Sequence, residues 1–195
     1  MTEKERMAAG QLYLSAEEQL TQERMRARQL NTQYNALPAQ DTTQRARVLR
    51  ELFGSCGEGA WVEQPFYCDY GYNIHVGKNF YANFNCTILD GAKVTIGDNV
   101  LLAPSVSLYT AGHPYDVQQR NAGLEYALPI TIGNNVWVGG NVVVVPGVTI
   151  GDDTIIGAGS VVTHDIPSGV IAAGNPCRVI REITPEDKRR FIREE

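Results

Sequence analysis

The stretch ITIGNNVWVGGNVVVVPGVTIGDDTIIGAGSVV, residues 130–162, decides the fold. From Ile132 a step of six lands on Val138, Val144, Ile150, Ile156 and Val162. Gly133, Gly139, Gly151 and Gly157 follow four of these directly. A second register, two residues out, runs through Ile130, Val136, Val142 and Val148, then the small polar Thr154 and Ser160. Upstream the same grid holds Ile96, Leu102 and Leu108, and Ile88, Val94, Val100 and Val106. Neither a helix nor a simply alternating strand sustains a period of six. Hexapeptide repetition marks a parallel β-helix, in which each coil stacks on the one before. β-branched residues suit its short extended faces, and Gly, Asn and Asp suit its corners. The chain is therefore expected to be mainly β.

The remainder reads as appendages to this stack. Up to about Gly57 the chain is helical in character. Ser15 with Glu18 makes a capping box ahead of an amphipathic run, Leu20 to Leu37. Pro38 and Asp41 mark a break, and a second helix is expected from Thr42 to Phe53, with Gly54 as its stop. Trp61 to Asn73 reads as an irregular lead-in rich in aromatics, and hexads occupy about Ile74 to Ala172. Thr184 and Pro185 open a short, charged C-terminal helix. The expected division is 1–57, 58–182 and 183–195. One interval breaks the repeat, between Leu108 and Ile130. The coils on either side still pair, so residues of about 110–129 must leave the stack as an extruded loop, where function tends to concentrate.

In a chain of 195 residues, a 43% hydrophobic content with mixed charge excludes wholesale disorder. Its formal net charge of -5 argues against a nucleic-acid binder. No apolar run reaches membrane-spanning length, and Met1 to Arg6 is too charged for a signal peptide, so a cytoplasmic protein is expected. Cys56, Cys68, Cys86 and Cys177 show no CxxC spacing; they read as buried free thiols.

His113, at the base of the loop in Gly112-His113-Pro114, is the leading chemical candidate. Imidazole titrates near neutrality and can take a proton from an alcohol and return it. A loop histidine fixed by Pro114 is the other reading, and pattern alone leaves both open. Asn83 is either an oxyanion donor or a corner asparagine. Asp69 and Asp90 are either sugar-binding carboxylates or solvated turn residues. Trp137 either stacks on a ring or packs, and Arg178 with Arg181 either pairs with a phosphate or charges the surface.

Taken together, these motifs resemble the sugar O-acetyltransferases of the hexapeptide family, the maltose and galactoside enzymes. The resemblance runs through Tyr70 to Ile74, Asn79 to Asn85, Gly112 to Pro114, Ile130 to Trp137 and Gly174 to Ile180. It implies a left-handed β-helix, the opposite hand to ordinary parallel crossovers. It also implies a homotrimer in which acetyl-CoA and a sugar acceptor meet between subunits, with no metal. By resemblance His113 is the general base and Asn83 the oxyanion donor. Arg24, Asp69 and Tyr81 lie near the acceptor, with Asp90 beside them and Glu125 orienting the site from the loop. Gly140, Ala158, Thr163, His164, Arg178 and Arg181 line the path of coenzyme A, with Trp137 near it. His164 stands where the family has Lys, and Ser15 and Gly91 stand where the galactoside enzymes have Asp. An acetyltransferase of this fold with a non-sugar acceptor is the alternative. A γ-type carbonic anhydrase is disfavoured, because His75, His113 and His164 lack the close pair that builds a zinc site. A non-catalytic scaffold is the remaining possibility.

Overall fold

The structure, a computed structural model, describes residues 1–189. Three helices and one short strand come first: α1 (Glu3–Ala8), β1 (Tyr13–Leu14), α2 (Glu18–Ala36) and α3 (Thr42–Leu52). The chain then winds into coils, each contributing one strand to each of three sheets. The first coil holds β2 (Ser55–Cys56), β3 (Trp61–Val62) and β4 (Tyr67–Cys68). The second holds β5 (Ile74–Val76), β6 (Tyr81–Ala82) and β7 (Thr87–Leu89), and the third β8 (Val94–Ile96), β9 (Leu101–Leu102) and β10 (Ser107–Tyr109). The loop carries β11 (Ala111–Gly112), α4 (Val117–Asn121) and β12 (Leu124–Ala127). Coiling resumes with β13 (Ile130–Ile132), β14 (Trp137–Val138) and β15 (Val143–Val144), then β16 (Thr149–Ile150), β17 (Ile155–Ile156) and β18 (Val161–Val162). Ile166 bridges to Ile150, and β19 (Val170–Ala173) continues the second sheet before β20 (Arg178–Glu182) turns back on it. The result is a left-handed parallel β-helix of about 6 turns.

Both hexad registers face inward. Ile130 and Ile132, and Val136 and Val138, are buried on either side of each corner-to-corner face. A fully buried Val or Ile contributes about 1.5–3 kcal/mol, and the repeat supplies such residues in every coil. Thr154 and Ser160, the polar members, are also buried and are satisfied. Thr154 donates to the carbonyl of Pro167 at 3.0 Å, and Ser160 accepts from Gly174 N–H at 3.0 Å. They tie the last full coil to the irregular chain above it.

One corner is built from left-handed asparagines: Asn79, Asn99 and Asn135 have φ of 54°, 56° and 57°, and Asp153 follows at 56°. Their side chains form a ladder, each amide donating to the next oxygen at 2.9, 3.0 and 2.9 Å and ending on Asp153. Asparagine tolerates this conformation better than other non-glycine residues, and here the stack also uses its side chain.

Several local expectations shift. The residues from Trp61 to Asn73 are not an irregular lead-in, because β3 and β4 sit in full register below β6 and β7. Cys56, Val62 and Cys68 keep the step of six, and the aromatics around them mask the signal. Ser15 does not cap α2; Glu17 does, accepting from Leu20 N–H at 3.2 Å. The capping box lies earlier, at Thr2 and Glu5 of α1. Gly54 does follow α3, but its glycine is required by packing: a Cβ there would lie 2.2 Å from the Tyr72 carbonyl oxygen. The C-terminal segment begins as a 3-10 turn, Pro185–Arg189, and residues 190–195 of the expected helix lie outside the described residues.

The two ends of the stack are finished differently. At one end α3 lies against β2, and its buried Arg45 donates to the Val62 carbonyl at 2.7 Å while stacking on the Trp61 ring at 4.2 Å. At the other end β20 runs antiparallel to β19. The loop does not hang free either. β11 and β12 form a hairpin, and β1 pairs with the far side of β12, so the N-terminal segment and the extruded loop share one three-stranded antiparallel sheet.

Candidate active site

The pairing of β1 with β12 sets Tyr13 opposite Glu125. The buried Tyr13 hydroxyl donates to Glu125 Oε2 at 2.9 Å. Burial, reinforced by the neighbouring carboxylate, holds this phenol far above its ordinary range, so it stays a donor. Facing this pair, Arg24 of α2 donates to the Tyr70 hydroxyl at 2.7 Å and to the Ser15 carbonyl at 2.6 Å. Burial pushes the Tyr70 phenol up to about 12. Asp69 follows β4, half-buried, and burial raises its carboxyl above the usual range against the pull of Arg24. Tyr13, Ser15, Arg24, Arg28, Asp69, Tyr70 and Glu125 enclose a polar cleft of about 210 Å³. Guanidinium donors beside carboxylate acceptors suit a ligand that presents several hydroxyls, each able to donate and accept.

His113 does not line this cleft; its link to it runs through β12. It follows β11, exposed to solvent, with Nδ1 3.3 Å from the Leu124 carbonyl oxygen. When Nδ1 carries the proton and donates to that carbonyl, Nε2 is left with its lone pair. Leu124 and Glu125 are consecutive on β12, so one strand holds the imidazole by its backbone and lines the cleft by its side chain.

The structure divides the remaining candidates. Asp90 is wholly buried, so it does not face the cleft; its Oδ1 accepts the backbone N–H of Asp69 and of Tyr70 at 3.0 and 2.9 Å. Tyr81 and Asn83 belong to β6 and the corner after it, in the second sheet, and neither lines the Asp69 cleft. Asn83 Oδ1 accepts from the Phe84 N–H at 2.8 Å, which leaves its Nδ2 amide as the donor. Trp137 is 51% exposed on β14, in register with Leu101 and Ile155. Gly140 and Ala158 lie at the corners after β14 and β17.

His164 and Arg178 do come together, with Asp165, Ile166, Cys177 and Val179, around a cavity of about 240 Å³. Thr163 Oγ1 lies 2.9 Å from His164 Nδ1. Arg181 departs from expectation: its guanidinium is engaged by Asp187 through two contacts of 2.8 and 2.7 Å and does not line that cavity. None of the four thiols lines the polar cleft, although Cys177 lines this second cavity. Burial raises Cys56 and Cys86 to about 11 and lifts Cys68 and Cys177 as well, so all four stay protonated. Among the described residues no three His, Cys, Asp or Glu side chains gather as metal ligands.

Arg28 and Tyr70 are cleft residues that the sequence pattern does not single out as site residues. Arg28 has a signal, since it lies four residues after Arg24 on the same helical face. Tyr13 has none, because its partner is 112 positions away.

The family profile described as the maltose acetyltransferase hexapeptide capping motif matches residues 6–57, and the bacterial transferase hexapeptide (six repeats) profile matches residues 129–164. The galactoside O-acetyltransferase of Escherichia coli K12 is 52% identical over 97% of this chain and 94% of its own length. A maltose O-acetyltransferase from Clostridium difficile 630 superposes with a TM-score of 0.93 at 54% identity, covering 94% of this chain and 98% of that one. A galactoside acetyltransferase solved in complex with coenzyme A superposes with a TM-score of 0.94 at 50% identity, covering 100% and 97%. With coil repeat, N-terminal module and loop all matched along its length, the chain belongs to the hexapeptide-repeat sugar O-acetyltransferase family.

Proposed function

We propose that this chain moves an acetyl group from acetyl-CoA to a hydroxyl of a sugar such as maltose, glucose or a galactoside. The observation that carries the reading is the shared strand: β12 presents Glu125 to a polar cleft and the Leu124 carbonyl to His113. The acceptor binds in that cleft through Asp69, Arg24 and Glu125. Its hydroxyl oxygen attacks the thioester carbonyl directly while His113 Nε2 takes the hydroxyl proton. Negative charge then gathers on the carbonyl oxygen, where the Asn83 amide donates. Loss of one such donor costs about 3–4 kcal/mol. Collapse breaks the carbon–sulfur bond, and the imidazolium protonates the departing thiolate. The products are the acetyl ester and free coenzyme A. No acyl-enzyme forms, which agrees with four protonated thiols.

Coenzyme A lies along the late coils. Its arm follows Trp137, Gly140 and Ala158, and its nucleotide end meets Thr163, His164 and Arg178. Arg181 joins only by leaving Asp187. His113 follows β11 of the loop sheet and Asn83 follows β6 of the second coil sheet, which fits a homotrimer whose sites form between subunits. The same reading places the protein in the cytoplasm. Among the described residues no helix is long and apolar enough to cross a membrane.

Thiol release from acetyl-CoA, measured with glucose, maltose, galactosides and aminosugars, tests the reaction class. Sugar-dependent release that disappears in His113→Ala is expected. Release that persists in the variant would overturn the role of His113, and the absence of release with every sugar tested would overturn the acceptor class. Mixing His113→Ala chains with Asn83→Ala chains under subunit exchange tests the assembly. Recovery of part of the activity is expected; no recovery in demonstrably mixed trimers means that both residues act from one subunit.

A further inference from the structure

Asp90 is the one buried carboxylate whose second oxygen has no partner among the described residues: Oδ1 takes two N–H groups, and Oδ2 takes none. Burying a carboxyl so incompletely is costly, and burial accordingly pushes its titration up to about 6. An apolar residue in this place would avoid the cost but could not hold the backbone it holds. Those two N–H groups belong to Asp69 and Tyr70, the carboxylate and phenol that line the polar cleft.

The neighbourhood forms a column along one corner of the stack. Asp69 and Tyr70 follow β4, Asp90 follows β7, and Thr110 follows β10, immediately before the loop. Asp90 and Thr110 are both fully buried. Thr110 Oγ1 donates to the Leu89 carbonyl at 2.6 Å and accepts from the Ala92 N–H at 2.9 Å, clasping the chain on both sides of Asp90. The Asp90 carbonyl in turn accepts from Asn73 Nδ2 at 2.7 Å. Side chains therefore join the cleft floor to the residue that launches the loop carrying His113. At the asparagine corner the equivalent ladder is exposed and runs through amide side chains before it ends on Asp153. Here it is buried and charged, and it ends at the cleft.

We propose that Asp90 is a positioning residue for the acceptor: it fixes Asp69 and Tyr70 in register with the loop that presents His113. This rests on the sugar acetyltransferase reading of the cleft. Asp90 touches no substrate. It acts by removing conformational freedom from the segment that does, so its loss weakens acceptor binding without disturbing the coenzyme A groove on the late coils.

The test compares Asp90→Ala and Asp90→Asn with the wild type in two measurements. Asparagine keeps an oxygen able to accept both N–H groups; alanine does not. Amide hydrogen exchange reads the Asp69 and Tyr70 N–H groups directly. Steady-state kinetics with the best sugar of the panel read the two KM values separately. In Asp90→Ala the Asp69 and Tyr70 amides are expected to exchange at least ten-fold faster, with coil amides such as Val136 unchanged. The acceptor KM should rise about ten-fold while the acetyl-CoA KM stays the same, as expected when one orienting interaction of ~1.4 kcal/mol is lost. Asp90→Asn should return both values close to wild type. An unchanged acceptor KM in Asp90→Ala, or equal rises in both KM values, overturns the proposal. If the alanine variant does not fold, an Asp90→Asn acceptor KM as high as ten-fold above wild type overturns it as well. A wild type that acetylates no sugar shows instead that the reading of the cleft is wrong, and the positioning role falls with it.

Discussion

The stacked coils and the small sheet formed by β1, β12 and β11 use different physics side by side. In the coils every strand pairs with the strand of the next coil in the same register, and the interior is filled by Val, Ile and Leu. The same environment recurs six residues on, so any one contact is supported by copies of itself. The antiparallel sheet has no copies. Its contacts are single: Tyr13 on Glu125, His113 on the Leu124 carbonyl, and nearby Arg24 on Tyr70. Stability is distributed in the first region, whereas the second, where the proposed chemistry falls, depends on individual atoms. The contrast teaches that a substitution in the coils should change how long the protein stays folded, and one beside the cleft should change what it does.

The sharpest way to break this contrast is His113→Ala. Under the proposed mechanism this removes the general base, at a cost of about 10²–10⁴-fold in kcat. The side chain is exposed and makes one hydrogen bond among the described residues, so unfolding by urea should move by less than ~0.5 kcal/mol. A large stability loss would show that the loop depends on the imidazole for its shape. The converse variant is Ile150→Ala, fully buried in β16. It should lose about 2–5 kcal/mol of stability and keep wild-type kcat below its melting transition. A proportionate loss of kcat would mean that the coils transmit packing defects to the cleft.

Asp90 lies between the two regions and gives a pH-dependent test. Burial makes it titrate at about 6 in the folded chain, above an unfolded aspartate. Between roughly pH 4 and 6 the folded state therefore binds more protons than the unfolded one, and stability falls as pH rises through that window. A gap of about two pH units between folded and unfolded titration is worth about 3 kcal/mol. Wild type should lose about that much relative to Asp90→Asn between pH 4 and pH 7. Unfolding curves with a pH-independent difference would show that Asp90 does not titrate there. The smallest effect is expected at the asparagine corner. Asn135→Ala removes two ladder contacts and places alanine at a left-handed position, for a loss of about 1–2 kcal/mol with no change in either KM.

Legibility in the sequence follows the same division. Ile132, Val138 and Val144 announce their role by repetition, and the break between Leu108 and Ile130 announces the loop. The first coil is harder, because Cys56, Val62 and Cys68 keep the period among aromatics that break the apolar pattern. Pairing of Tyr13 with Glu125 leaves no local trace, since a two-residue strand has no period. Nor can Asp90 be told from a solvated turn residue: whether a corner carboxylate points in or out depends on which N–H groups are waiting there. His113 and Asn83 are legible as residue types, but their proposed partnership across subunits leaves no mark in the sequence of one chain.

A stack of identical coils has no intrinsic length. Each end offers a row of unpaired N–H and C=O groups, which makes it a template for another copy to join and for copies to grow into fibres. Here α3 covers one end with a helix that cannot be continued by a strand. At the other, β20 reverses direction on β19, so an incoming parallel coil meets the wrong hydrogen-bond pattern. The chain thereby limits its own growth, and a scaffold with the internal logic of a filament stays a particle of defined size.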